Sequence, residues 1–301
     1  MIPLSRKIAV VTLILLGFNH PATALSKPVS VFVTILPQKY LVQQIGKELV
    51  EVQVLVPPGA SPHIYEPKPG QMRAISKADL YFALGVPFEK RWLERISAAS
   101  SKMRVVPTDQ GIEKLPMLHH AHEAEVDDHH DEGGHEAGDS GLDPHIWLSP
   151  TLVRLQAGVI LAALQETRPA RAAVFRTHFD HFISRLGALD TRLRQTFSGK
   201  SGLAFMVYHP SWGYFASDYG IRQIPIELEG KNPKPAQLQA LIQQARQMGI
   251  KVIFVQPQFS TKSAELIARA IGGQVVFADP LAEDWMANLN TVADGFRAAL
   301  K

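Results

Sequence analysis

The sequence predicts an α/β protein of two lobes with mostly parallel sheets, joined by one long spine helix. Three observations carry this. Short, β-branched apolar runs alternate with amphipathic stretches through most of the chain, the signature of strand–helix units that build parallel sheets. The alternation occurs twice, once before and once after the middle of the chain. Between the two sets, residues 170–197 keep apolar side chains at helical spacing without a break, from Val174 and Phe175 to Leu189 and Leu193.

In the first half, residues 29–35 (VSVFVTI), 50–56, 78–84 and 103–106 read as strands, and 37–48 and 88–98 as helices. Pro57-Pro58-Gly59 breaks the second strand. Residues 150–166 are helical in pattern. The helix over 170–197 would be about 40 Å long, enough to run along two lobes. In the second half, 203–208, 223–226, 252–255 and 275–277 read as strands, and 212–219, 235–248, 262–271 and 284–300 as helices. The resulting division is 1–24, 25–168, 169–198 as the linking helix, and 199–301.

The first segment reads as a cleavable secretory signal. Arg6 and Lys7 precede the apolar run 8–18, and Ala22-Thr23-Ala24 supplies a small-x-small cleavage pattern. That run is too short to span a bilayer, which takes about 20 residues. No later stretch is long and apolar enough to do so. The formal charge of +3 falls to about +1 once Arg6 and Lys7 leave with the signal. No basic stripe marks a nucleic-acid surface, so no nucleic-acid partner is expected. Cysteine is absent, which excludes disulfides, thiolate metal sites and cysteine nucleophiles. An exported chain of this composition fits a periplasm.

Residues 117–141 differ in kind. They hold six histidines (His119, His120, His122, His129, His130 and His135) among eight acidic residues, with almost nothing apolar. Such a stretch cannot bury a core and reads as a mobile surface loop and a weak, adaptable metal binder. It reads as an accessory, since ordering a floppy chain costs entropy on binding.

Three other histidines are isolated and lie beside proline: His63 in Pro62-His63, His145 in Pro144-His145 and His209 in His209-Pro210. Proline stiffens each backbone by fixing φ. His63 and His209 follow predicted strands, where ligands collect in α/β sheets. Asp279, before Pro280, repeats the strand-end pattern. Any one of these histidines alone fits a hydrogen-bonded loop residue equally well. Their shared context favours a joint site, and three imidazoles with one carboxylate make a tetrahedral zinc set. His178 and His181 stand three apart on the long helix and read as surface residues. Glu66 and Glu229 fit either an outer metal-site role or surface ion pairs. No H-E-x-x-H and no G-x-S-x-G pattern occurs, so zinc-protease and serine-hydrolase signatures are missing.

Five motifs now identify a resemblance: residues 63–69 (HIYEPKP), 143–150 (DPHIWLSP), 209–216 (HPSWGYFA), 227–235 (ELEGKNPKP) and 279–284 (DPLAED). In this order they resemble the periplasmic zinc-binding proteins of ABC metal transporters, the metal-specific solute-binding family. The resemblance implies metal held in a cleft between the lobes, with His63 and His145 from the first lobe and His209 and Asp279 from the second. It implies a monomeric, non-enzymatic carrier that captures Zn²⁺ outside the cytoplasm and hands it to an ABC permease. His209 stands where manganese-binding relatives tend to carry a carboxylate, and nitrogen-rich ligation favours zinc. A manganese or iron carrier, a periplasmic zinc hydrolase with water in place of Asp279, and a metal buffer without a transporter are the alternatives.

Overall fold

The structure, a computed structural model, describes residues 27–117, 141–228 and 230–299. Two four-stranded parallel sheets form the framework. In the first, β1 (Val29–Val33), β2 (Val50–Val54), β3 (Leu80–Ala83) and β4 (Arg104–Pro107) stand in the order β2-β1-β3-β4. In the second, β5 (Ala204–Val207), β6 (Arg222–Pro225), β7 (Val252–Val255) and β8 (Gln274–Phe277) repeat that topology as β6-β5-β7-β8. The central strands are buried from end to end: LYFA in β3, AFMV in β5 and VIFV in β7. Parallel sheets covered on both faces select such uninterrupted apolar runs.

Helices make the crossovers. The first half contains α1 (Leu36–Gly46), α2 (Pro69–Ile75), α3 (Pro87–Ala98) and α4 (Pro150–Thr167). The second half contains α6 (Gly213–Tyr219), α7 (Pro235–Gln247), α8 (Lys262–Ile271) and α9 (Trp285–Ala299). Proline opens α2, α3, α4 and α7 at their first turn, where its missing N–H costs nothing. Ser149 caps α4 by accepting the Leu152 N–H at 3.0 Å. Gly220 and Gly272 end α6 and α8 in left-handed backbone, φ 65° and 64°, which glycine adopts without a Cβ clash.

The elements match the sequence reading closely, with one omission. The sequence reading assigns no element to 57–77, yet α2 is there. It has seven residues, and the Pro-Gly that opens it also reads as a turn.

The long helix, α5 (Ala172–Phe197), has 26 residues and runs about 39 Å. A single 3₁₀ turn, Pro169–Arg171, precedes it. Phe175, Phe182, Leu186, Leu189, Leu193 and Phe197 form its buried stripe. It packs on α1 and α4 of the first half and on α6 and α9 of the second. One hydrophobic core includes residues of both halves, and a smaller one covers the other face of the second sheet around Met206, Ile226 and Ile253. The halves are also tied by paired indoles. Trp147 Nε1–H donates to the Pro280 carbonyl at 2.6 Å, and Trp285 Nε1–H donates to the Trp147 carbonyl at 2.7 Å. No helix among the described residues is long and apolar enough to cross a membrane.

Candidate metal centre

Strand order repeats the same device in each half: the first strand hands off to neighbours on opposite sides, opening a crevice at the carboxyl ends. His63 lies in the segment after β2. His209 follows β5 by two residues, Glu227 follows β6 by two, and Gln256 and Gln258 continue β7. Asp279 follows β8 by two. His145 arrives from the first half, just before the 3₁₀ turn Ile146–Leu148 and α4.

Three of the four residues picked from the sequence converge. His63, His145 and His209 each offer a ring nitrogen, and these atoms lie within 4.8 Å of one another. Ring centroids are 5.2 Å apart for His63–His145, 4.8 Å for His63–His209 and 5.2 Å for His145–His209. The Nε2 atoms of His63 and His209 are 3.2 Å apart. No other cluster of this kind occurs among the described residues. His145 is 2% exposed, and the other two are partly open to the crevice.

The far sides of two rings are fixed by carboxylates. His145 Nδ1 meets Asp143 Oδ1 at 2.6 Å, and the same oxygen accepts the His145 backbone N–H at 2.8 Å. His209 Nδ1 meets Glu227 Oε1 at 2.6 Å. In their ionised form both carboxylates can only accept, so Nδ1 then carries the proton in both rings and Nε2 presents its lone pair to the crevice. This outer pairing is the usual companion of a metal-ligating histidine, because it sets tautomer and ring orientation. Gln256 holds the His209 backbone from both sides: its Oε1 accepts the His209 N–H at 2.9 Å and its Nε2 donates to the carbonyl at 3.2 Å.

Burial keeps the His63 and His145 imidazoles neutral. It holds His63 down at about 2, helped by the positive charges that His145 and His209 would carry. His145 is pushed well below the ordinary range by burial and then by His209. Burial raises the Asp143 carboxyl to about 7. Neutral imidazoles are the form that binds a metal ion. Two oriented Nε2 atoms facing a third imidazole make a nitrogen donor set that fits a divalent ion.

Asp279, the fourth residue picked from the sequence, is not part of this group. Its Oδ1 accepts from Gln258 Nε2 and from the Leu281 N–H, both at 2.9 Å, and it lines a neighbouring cavity. Glu66 is exposed. His178 Nδ1 lies 3.1 Å from the Ile45 carbonyl, and His181 is exposed on α5. Glu229 and the six loop histidines, His119, His120, His122, His129, His130 and His135, lie outside the described residues. The stems of that segment are described. Pro116 and Leu142 form an antiparallel bridge, and Tyr214 Oη accepts the Leu115 N–H at 3.0 Å while donating to the Asp143 carbonyl at 2.7 Å.

Sequence reasoning missed the orienting roles of Asp143 and Glu227. Signals existed. Asp143 stands two residues before His145, within reach of a ring nitrogen. Glu227 occupies the same strand-end position on β6 that His209 occupies on β5.

Comparisons with known proteins agree with this architecture. Residues 31–299 match the family model for the zinc-uptake complex component A, periplasmic (ZnuA). The chain is 29% identical over 248 residues to the high-affinity zinc uptake system protein ZnuA of Bacillus subtilis (strain 168), covering 81% of this chain and 76% of that one. It is 27% identical to the zinc-binding protein AdcA of Streptococcus pyogenes serotype M3, spanning only 49% of that longer protein. A crystal structure of ZnuA superposes with TM-score 0.80 at 41% identity, covering 91% of this chain and all of the other. A zinc-bound ZnuA carrying a 138–173 deletion gives TM-score 0.78 at 40% identity, covering 91% of this chain and 98% of that one.

Proposed function

Because the chain belongs to the family of periplasmic zinc-uptake component A proteins, we propose that it captures Zn²⁺ outside the cytoplasm at His63, His145 and His209 and delivers it to an ABC permease. The observation that carries this reading is the convergence of three imidazoles, two of them oriented by carboxylates. Nitrogen donors of this kind suit zinc better than manganese. Residues 1–24 serve as the export signal. The two αβ units, 25–168 and 199–301, act as lobes, with 169–198 between them, and the carrier works as a monomer.

Binding occurs without turnover. Catalytic zinc keeps a ligand position open to water and a proton-transfer group beside it. Here both carboxylates that touch the histidines are already committed to Nδ1 protons. The relative carrying a 138–173 deletion has zinc bound, so in that protein zinc binding does not need the deleted segment.

Calorimetry on the mature protein tests the reading. One tight zinc site should persist when 118–140 is deleted and vanish in His63→Ala. Tight binding that departs with the deleted segment and survives His63→Ala would refute it.

A further inference from the structure

Gln258 stands between the pocket of the three histidines and the neighbouring cavity that Asp279 lines. Its Nε2 donates to Asp279 Oδ1 at 2.9 Å. Asp279 is itself held in place: the same oxygen accepts the Leu281 N–H at 2.9 Å, and its backbone carbonyl accepts from Asn288 Nδ2 at 2.8 Å. A carboxylate accepts hydrogen bonds and cannot donate them, so the nitrogen of the Gln258 amide must face Asp279. The carbonyl oxygen is thereby turned away from it. That Oε1 is buried and without a hydrogen-bond partner among the described residues. The other two such side-chain atoms, on Gln156 and Trp212, belong to residues that do not line the pocket. Buried acceptors are nearly always paired, and an orphan beside a ligand pocket calls for a ligand.

The pocket is small, about 20 Å³, enough for a single ion or water. Three imidazoles leave a tetrahedral ion one donor short.

We propose that Gln258 Oε1 is the fourth donor to the ion held by His63, His145 and His209, and that Asp279 is a positioning residue that aims it. The proposal rests on the three-histidine zinc reading. It gives the ion three nitrogens and one neutral oxygen, with the anionic groups Asp143, Glu227 and Asp279 each one bond removed. It also explains why Asp279 sits at a strand end beside the site without joining the cluster.

Two variants and one structure test it on the full mature chain. In zinc-loaded crystals, the anomalous peak should lie about 2.0–2.2 Å from Gln258 Oε1, the bond length of an oxygen ligand. Gln258→Leu keeps bulk and removes the donor. It should weaken zinc binding by at least about 10–100-fold, the range for loss of a group that only supports a ligand, and should shift the visible d–d bands of the Co²⁺-loaded protein. Asp279→Asn, whose amide lets Gln258 turn over, should shift the same bands with a smaller loss of affinity. It should add nothing in the Gln258→Leu background. A water as fourth ligand in the wild-type map would overturn the proposal, as would unchanged Co²⁺ bands in Gln258→Leu. Additive effects of the two substitutions would overturn the role of Asp279. Loss of tight binding in His63→Ala with a silent Gln258→Leu sinks this inference alone, whereas tight binding in both sinks the zinc site itself. Should Gln258→Leu fail to fold, the wild-type map decides.

Discussion

Replacing Glu227 tests whether the outer carboxylates do more than fill space. Glu227 is 8% exposed, and its Oε1 sits 2.6 Å from His209 Nδ1. Glu227→Ala removes both the charge and the acceptor, freeing the His209 ring to rotate and to change tautomer. Loss of such a partner costs about 10–100-fold in metal affinity, or about 1.4–2.7 kcal/mol. Glu227→Gln keeps an acceptor of nearly the same shape and loses only the charge, so its loss should fall near the lower end of that range. Chelator-competition calorimetry measures both, with thermal unfolding of the metal-free proteins as the check on folding. The expected order is wild type, then Gln, then Ala. Glu227→Ala binding zinc within twofold of wild type, while His209→Ala abolishes binding, would refute the orienting role.

Other outcomes follow from the same geometry. A Cβ on Gly213 would stand 2.6 Å from Asp143 Oδ2, so Gly213→Ala should displace the carboxylate behind His145 and weaken zinc by roughly tenfold, read by the same calorimetry. Acid should destabilise the metal-free protein in part through His63. Its pKa is 6.5 unfolded and about 2 folded, so below 6.5 the unfolded chain takes up a proton that the folded one refuses. That contribution is intact above pH 6.5 and is lost as pH falls, at up to about 1.4 kcal/mol per pH unit. His63→Gln should flatten the stability–pH curve by that slope in denaturant melts between pH 7 and 5, and parallel curves would contradict it. Phe296 packs on Phe197, Phe205 and Phe254 at centroid distances of 4.9, 5.5 and 5.2 Å. Phe296→Ala should cost about 3–5 kcal/mol. Because the larger core includes residues of both halves, calorimetric melting should still show one transition.

Much of this molecule is legible from its residues, for physical reasons that differ by element. The central strands announce themselves because burial on both faces leaves no room for polar residues, as in VIFV of β7. The long helix shows through its unbroken apolar stripe. Helix α2 is hidden because its first two residues, Pro69 and Gly70, carry a turn's composition. At the site, proline neighbours single out His63, His145 and His209, but only tertiary packing brings residues so far apart in sequence within one crevice. The strand-end pattern finds Asp279 and cannot tell whether its carboxylate reaches the histidines, since that depends on side-chain contacts such as the one to Gln258. A glutamine with one satisfied and one orphaned amide atom looks like any other glutamine in sequence.

The tryptophan ties between the halves have an optical consequence. Trp147 is fully buried, lines the pocket, and its ring centroid lies 5.1 Å from that of His145. An ion arriving at His145 would change the electric field across an indole held by its bond to the Pro280 carbonyl, on a residue whose own backbone carbonyl is held by Trp285. The protein carries its own fluorophore beside the three-histidine cluster. Loading and unloading can be timed from its emission without attaching a dye, and Trp147→Phe should silence that signal while leaving the remaining tryptophan emission in place.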